Sequence, residues 1–178
     1  IVALREYPEV YNWGLFTKPI IFRTVSELLK NFPETDIAVA THWTTAPWVA
    51  DVVKHRRAAI GVYFIQDYES WFFPEHDLVP RAKVKNTYEL IPYKIVKSDW
   101  LKGLLMKDGY HAEKIRLGMN LSVFYPRDVK KSSQPVVVAM ARPRTPRRGF
   151  THLIEALSLV KKAISEVEVV LFGDDLSS

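Results

Sequence analysis

Ala58-Ala59-Ile60-Gly61-Val62-Tyr63-Phe64-Ile65 runs without a charge and then breaks at once into Gln66-Asp67-Tyr68-Glu69. A continuous apolar run of strand length is the pattern of a strand covered on both faces, as in a parallel sheet. The surroundings repeat the unit. Upstream, Ile37-Ala38-Val39-Ala40 is a short buried-strand pattern. It leads to Thr44, Thr45 and Pro47 at a helix start, with Trp48, Val49, Val52 and Val53 behind them. Downstream, Lys94-Ile95-Val96-Lys97 runs into Ser98, which can cap a helix carrying Leu101, Leu104 and Leu105 and closing at Gly109. Before all of these, Thr24-Val25-Ser26-Glu27 has the spacing of a capping box, with Leu28, Leu29 and Phe32 giving the helix its apolar face.

Lys114 to Leu117 reads as one more short strand. From Asn120 to Pro135 the chain turns polar and breaker-rich, with Pro126, Asp128, Lys130, Lys131, Ser132, Ser133 and Pro135, which marks a linker. A second β–α–β then begins. It has a strand at Val136 to Met140, a helix with Phe150, Leu153, Ile154, Leu157 and Val160 at helical spacing, and a strand at Val167 to Phe172 before Gly173-Asp174-Asp175. The expected fold class is α/β: Rossmann-like parallel sheets with helices on both faces, whose ligands sit beyond the carboxyl ends of the strands. Residues 1–120 are expected to be the latter part of a first Rossmann-like domain, 121–135 the linker and 136–178 the first part of a second. No internal repeat or low-complexity tract interrupts this order.

Composition narrows the function classes. The chain has 178 residues, of which 48% are hydrophobic and 25% charged, with 25 Lys+Arg against 20 Asp+Glu for a net charge of +5. That is globular usage. The absence of Cys removes disulfides, thiolate metal sites and Cys nucleophiles, and points to a cytoplasmic address. No apolar stretch approaches the roughly 20 residues needed to span a bilayer. The opening Ile1-Val2-Ala3-Leu4-Arg5-Glu6 carries charge where a signal peptide would be apolar, and it lacks an initiator Met. Such an opening, with an ending just after a strand-like run, suggests a segment of a longer chain. A nucleic-acid surface would need basic residues spread along a face, which an excess of +5 does not demand.

Two loops carry the candidate chemistry. Arg142-Pro143-Arg144-Thr145-Pro146-Arg147-Arg148-Gly149 lies between a strand end and a helix start. Guanidiniums there can clamp phosphate oxygens, the helix start favours anions, and Gly149 permits close backbone approach. The alternative is a solvated basic loop. Gln66, Asp67, Tyr68 and Glu69 follow a strand end as well, and would bring two carboxylates and an amide to the cleft side. They suit a polyhydroxylated ligand or a base, or else simply cap the next element. Trp71, Phe72 and Phe73 follow, either as a sugar-stacking platform or as packing under a loop. His42 sits at a strand end, facing the cleft or structurally buried. The five histidines show no zinc spacing. No Gly-x-Ser-x-Gly, Gly-x-Gly-x-x-Gly or Walker loop is present.

Taken in order, Gln66-Asp67-Tyr68-Glu69, Ser98-Asp99-Trp100-Leu101, Gly118-Met119-Asn120 with Phe124 and Pro126, Ala141-Arg142, Arg148-Gly149-Phe150 and Gly173-Asp174-Asp175 resemble the family 4 retaining glycosyltransferases. The likeness runs from about Asp36 to Asp175 and is greatest to rhamnosyl- and mannosyltransferase-like members. It implies the GT-B arrangement of two Rossmann-like domains with a cleft between them. The nucleotide-sugar donor would lie on the C-terminal domain, with Arg142, Arg148 and Gly149 at its diphosphate. Arg142 and Arg148 would stabilise the leaving group without a metal or other cofactor. The glycan or lipid-linked acceptor would lie near Gln66, Asp67, Tyr68 and His42. Many members carry His where this chain has Gln66, and Lys is common where Arg148 stands, so the point donor becomes a fork. The resemblance further implies a Gly-rich loop before Ile1 and a Glu, seven residues, Glu motif after Ser178.

The expectation is therefore a glycosyltransferase, or a fragment of one, acting in polysaccharide biosynthesis with retention of configuration. The rival is a non-catalytic nucleotide- or sugar-binding module of the same fold. Peripheral membrane contact and self-association stay open.

Overall fold

The computed structural model describes residues 3–4, 20–128, 130 and 133–174. Expectations that fall on Ile1, Val2, Arg5, Glu6, Lys131, Ser132 and Asp175 lie outside these residues. The chain divides into two compact units, Ile1–Gly118 and Met119–Ser178. The first contains β1 (Ala3–Leu4), β2 (Ile20–Ile21), α1 (Val25–Asn31), β3 (Thr35–Ala40), α2 (Ala46–Lys54), β4 (Ala58–Ile65), a 3-10 turn (Glu69–Phe72), α3 (Leu78–Leu90), β5 (Tyr93–Val96), α4 (Asp99–Lys107) and β6 (Glu113–Lys114). The second contains β7 (Val136–Ala141), a 3-10 turn (Pro146–Arg148), α5 (Phe150–Ala163) and β8 (Glu168–Gly173).

In the first unit β3, β4, β5 and β6 form a four-stranded sheet in that order, and every pair is parallel. Each parallel step needs a crossover, which α2, α3 and α4 supply in turn. The α/β class with parallel sheets expected from the sequence is thus observed. The register Ala40↔Tyr63 and Ile65↔Val96 brings the carboxyl ends of β3, β4 and β5 to one edge. The core beneath is Tyr63, Ile65, Val84, Tyr88, Leu101 and Leu105, all fully buried, with the Tyr63 and Tyr88 rings 5.9 Å apart. A short sheet of β1 and β2, also parallel, belongs to the same unit.

Local signals explain most boundaries. Thr24 Oγ1 accepts the Glu27 N–H at 3.1 Å, and the Glu27 carboxylate accepts the Arg23 N–H at 2.9 Å, one residue earlier than a regular capping box would return. Ser98 Oγ likewise accepts the Leu101 N–H at 3.2 Å and starts α4. Thr45 behaves differently. Its hydroxyl accepts the N–H groups of Thr41 and His42, both at 3.2 Å, so it fastens the loop after β3 instead of capping α2. β6 ends at Lys114, shorter than the expected strand to Leu117.

The sequence pattern does not announce α3. Val84, Thr87, Tyr88 and Ile91 are buried at helical spacing, but Thr and Tyr blur the stripe, and Leu78 and Val79 are exposed. Pro80 sits in the first turn, where its missing N–H breaks no bond.

The second unit is a parallel pair, β7 with β8, in register Val136↔Glu168 to Ala141↔Gly173. Half-buried Val137, Ala139, Val169 and Leu171 alternate with exposed Val138, Met140, Val170 and Phe172. Near the start of the second unit, Asn120 Oδ1 accepts from the Ser122 N–H at 3.0 Å and organises a turn. Residues 125–128 and 133–135 are neither helix nor strand.

α2 and α4 close with the same hydrogen-bond pattern. Arg56 N–H donates to Val53 O and Arg57 N–H to Val52 O, both at 2.9 Å. Gly109 N–H donates to Met106 O at 3.0 Å and Tyr110 N–H to Leu105 O at 2.9 Å. The residue after each cap is left-handed, with φ 55° at Arg56 and 87° at Gly109. Gly109→Ala should therefore destabilise the first unit by about 1 kcal/mol, and Arg56→Gly should stabilise it by a similar amount, in chemical denaturation. Equal effects of one sign would show that left-handed strain does not govern these caps.

Candidate functional site

The carboxyl edge of the first sheet gathers the loops after β3, β4 and β5. Gln66, just past β4, donates from Nε2 to the Thr41 carbonyl at 3.1 Å and so ties the first two loops together. The His42 ring stacks on Phe72 at 5.9 Å with planes 19° apart. His42 Nδ1 lies 2.9 Å from the Thr44 hydroxyl and 3.4 Å from the Thr44 N–H, so Thr44 fixes the orientation of the ring. Burial holds the His42 pKa below its usual value, which favours the neutral ring. Gln66 and His42 are therefore neighbours at one edge, with the amide exposed and the imidazole half-buried.

Asp67 and Tyr68 divide between surface and interior. Asp67 Oδ1 accepts the Tyr68 N–H at 2.9 Å. The Tyr68 ring is only 5% exposed, and its hydroxyl donates to Asp108, which also pairs with Lys85 at 2.9 Å. Burial and the Asp108 carboxylate both push the Tyr68 pKa up, so the phenol stays protonated as a donor. Trp71 stands edge-on to Tyr68 at 5.1 Å, and Phe73 edge-on to Trp43 at 5.9 Å.

Glu69 corrects the sequence reading. It was expected on the cleft side, yet it is 1% exposed, and the Tyr63 hydroxyl donates to its carboxylate inside the core. The backbone of Trp43 hydrogen-bonds to it as well. The chain turns at once into the 3-10 helix, and that turn drives the Glu69 side chain inward. Burial raises its pKa to about 7, a shift that the Tyr63 hydrogen bond only partly offsets. Residue types gave no sign of this, because an acidic residue in a polar string reads as surface.

In the second unit Arg142 follows β7 directly. Thr145 N–H donates to Arg142 O at 3.1 Å and Arg148 N–H to Thr145 O at 2.9 Å, so the basic loop is two linked turns. Arg142 and Arg148 are exposed, and each stands at one end of this double turn. Gly149 adopts φ 69°, a left-handed conformation that glycine takes without strain, and its carbonyl accepts from Leu153 N–H to open α5. The structure thus brings Arg142, Arg148 and Gly149 into one loop of the second unit, and Gln66, Asp67, Tyr68 and His42 to one edge of the first. Among the described residues no group of three or more His, Asp or Glu side chains is placed to hold a metal ion. No helix among them is long and apolar enough to cross a membrane.

The raised Glu69 pKa fixes the sign of a pH effect. The native state binds a proton more tightly than the unfolded chain, so this group's contribution is complete below pH 4.5 and is lost as pH rises through about 7. Between pH 5 and 8 the wild type should lose stability relative to Glu69→Gln, on the order of 2 kcal/mol. Parallel pH profiles of denaturation midpoint would show that Glu69 is not buried as described.

No known family model matches the sequence. The chain is similar to the O-antigen biosynthesis protein RfbC of Myxococcus xanthus, 31% identical over 143 residues. The match takes in 79% of this chain but only 11% of that protein, so the chain spans about a tenth of the relative's length.

Proposed function

We propose that this chain is part of a glycosyltransferase of polysaccharide biosynthesis, one that moves a sugar from a nucleotide-sugar donor to a glycan or lipid-linked acceptor. The observation that carries the reading is the double turn after β7, which presents Arg142 and Arg148 to solvent and ends on left-handed Gly149 at the start of α5. Such a loop at the carboxyl end of a parallel strand suits a diphosphate, with the guanidiniums as charge-assisted donors and the first N–H groups of α5 behind them. The similarity to an O-antigen biosynthesis protein supports sugar chemistry over other uses of an anion site.

In this reading the two arginines hold the donor diphosphate and stabilise the charge that develops on the leaving nucleoside diphosphate as the glycosidic bond breaks. The fixed positive charge does the electrostatic work with no proton transfer to the phosphate. The acceptor lies at the edge formed by His42, Gln66 and Asp67. There the neutral imidazole and the exposed Gln66 amide are hydrogen-bonding groups for hydroxyls. Retention of configuration, family 4 membership and the GT-B arrangement belong to the same proposal and rest on the ordered motif resemblance.

Calorimetric titration of the chain with UDP, GDP, dTDP and ADP at fixed moderate salt tests it. One nucleotide should bind saturably. Arg142→Ala and Arg148→Ala should each weaken that binding by about 1.5 to 3 kcal/mol, roughly ten- to a hundredfold. Unchanged affinity in both variants would remove the assignment.

A further inference from the structure

Trp71 and Trp100 come from different loops, yet their rings meet at 5.7 Å with planes 63° apart. They are 48% and 55% exposed, so about half of each residue stays open to solvent although the two rings touch. Trp71 follows the carboxyl end of β4 and Trp100 that of its hydrogen-bonded neighbour β5, so the pair lies on the same edge as Gln66 and Asp67.

The mounting of this pair is rigid. Buried Glu69 and Ser70 anchor the 3-10 turn that carries Trp71. The ring itself leans edge-on against Tyr68, whose hydroxyl is fixed on Asp108. Trp100 occupies the first turn of α4, where the Ser98 cap and buried Leu101 set the helix start. Neither indole N–H is hydrogen-bonded by a described residue, which leaves two donors beside the exposed parts of the two rings. Single exposed tryptophans are ordinary, but two in contact on fixed supports make a contiguous apolar corner with its own donors.

We infer that Trp71 and Trp100 form a stacking corner for one pyranose ring of a glycan. The C–H face of the sugar lies on one indole, its edge abuts the other, and the indole N–H groups meet ring hydroxyls. Ion pairs flank the corner on α4, so the apolar surface of Trp100 is bordered by charged side chains. Asp99 pairs there with Lys114, and Lys102 with Glu113 at 3.2 Å. The inference rests on the proposed function and names the contact that its acceptor edge makes.

The test is a fluorescence and saturation-transfer NMR titration of the chain with α-mannobiose, α-rhamnobiose and α-galactobiose. At least one disaccharide should change tryptophan emission saturably, with transfer strongest to the C–H protons of one sugar face. Trp71→Ala and Trp100→Ala should each weaken that binding about three- to tenfold, while Trp71→Phe and Trp100→Phe keep part of it. All four variants should bind nucleotide like the wild type, since neither tryptophan belongs to the basic loop. If nucleotide binding survives but no disaccharide binds, or both Ala variants match the wild type, the corner is overturned alone. If disaccharides bind and no nucleotide does, the donor reading fails and the corner stands. Tryptophan-dependent partition onto phosphatidylglycerol vesicles, without disaccharide binding, would make the corner a membrane contact and also overturn the inference.

Discussion

Glu69 and Tyr63 meet beneath the loops of the first sheet, where a carboxyl group 1% exposed accepts a hydrogen bond from a fully buried phenol. The contact costs desolvation, and the raised pKa of Glu69 records that cost. In exchange it joins the turn after β4 to the strand below, and through the Trp43 backbone to the loop after β3. Gln66, Asp67 and Trp71 stand on that joined platform. Packing around the pair also pushes the pKa values of Tyr63 and Tyr88 up, so both phenols stay neutral at any ordinary pH. A buried polar pair of this kind suits positional precision more than stability, since its full contribution appears only when Glu69 carries a proton.

The second unit is organised by backbone geometry. Two short turns and one left-handed glycine aim Arg142, Arg148 and the start of α5 into a single loop, and the parallel register of β7 with β8 places that loop beyond a strand end. One unit therefore offers cationic groups and free N–H donors. The other offers neutral donors, a carboxylate and exposed aromatic rings. Under the proposed function, the first set suits a diphosphate and the second a neutral polyhydroxylated ligand.

Much of this was legible in the sequence where the signal is local. The continuous run Ala58 to Ile65 is β4 to the residue, the Ser98 and Thr24 caps form, and Gly109 closes α4. These features follow from side-chain period and from individual donors and acceptors. The basic loop was legible for the same reason, because Arg and Gly at a strand-to-helix junction keep their chemistry whatever packs nearby. What escaped depends on tertiary context. α3 hides its apolar face among Thr and Tyr, which become core only against the 3-10 turn and α2. Glu69 reads as a surface acid until the turn after β4 folds it back onto Tyr63, which supplies a partner. The meeting of Trp71 with Trp100 depends on the pairing of β4 with β5, and sequence separation conceals it.

The central claim is that the loop after β7 holds the diphosphate of a nucleotide-sugar. Amide chemical-shift mapping of the isotope-labelled chain, with each nucleoside diphosphate added in turn, tests it most directly. The account predicts that one nucleotide moves the amides of Arg142, Thr145, Arg147 to Thr151 and the first turn of α5 together, along a single saturable curve. Shifts that leave this loop still and gather on another element would contradict it.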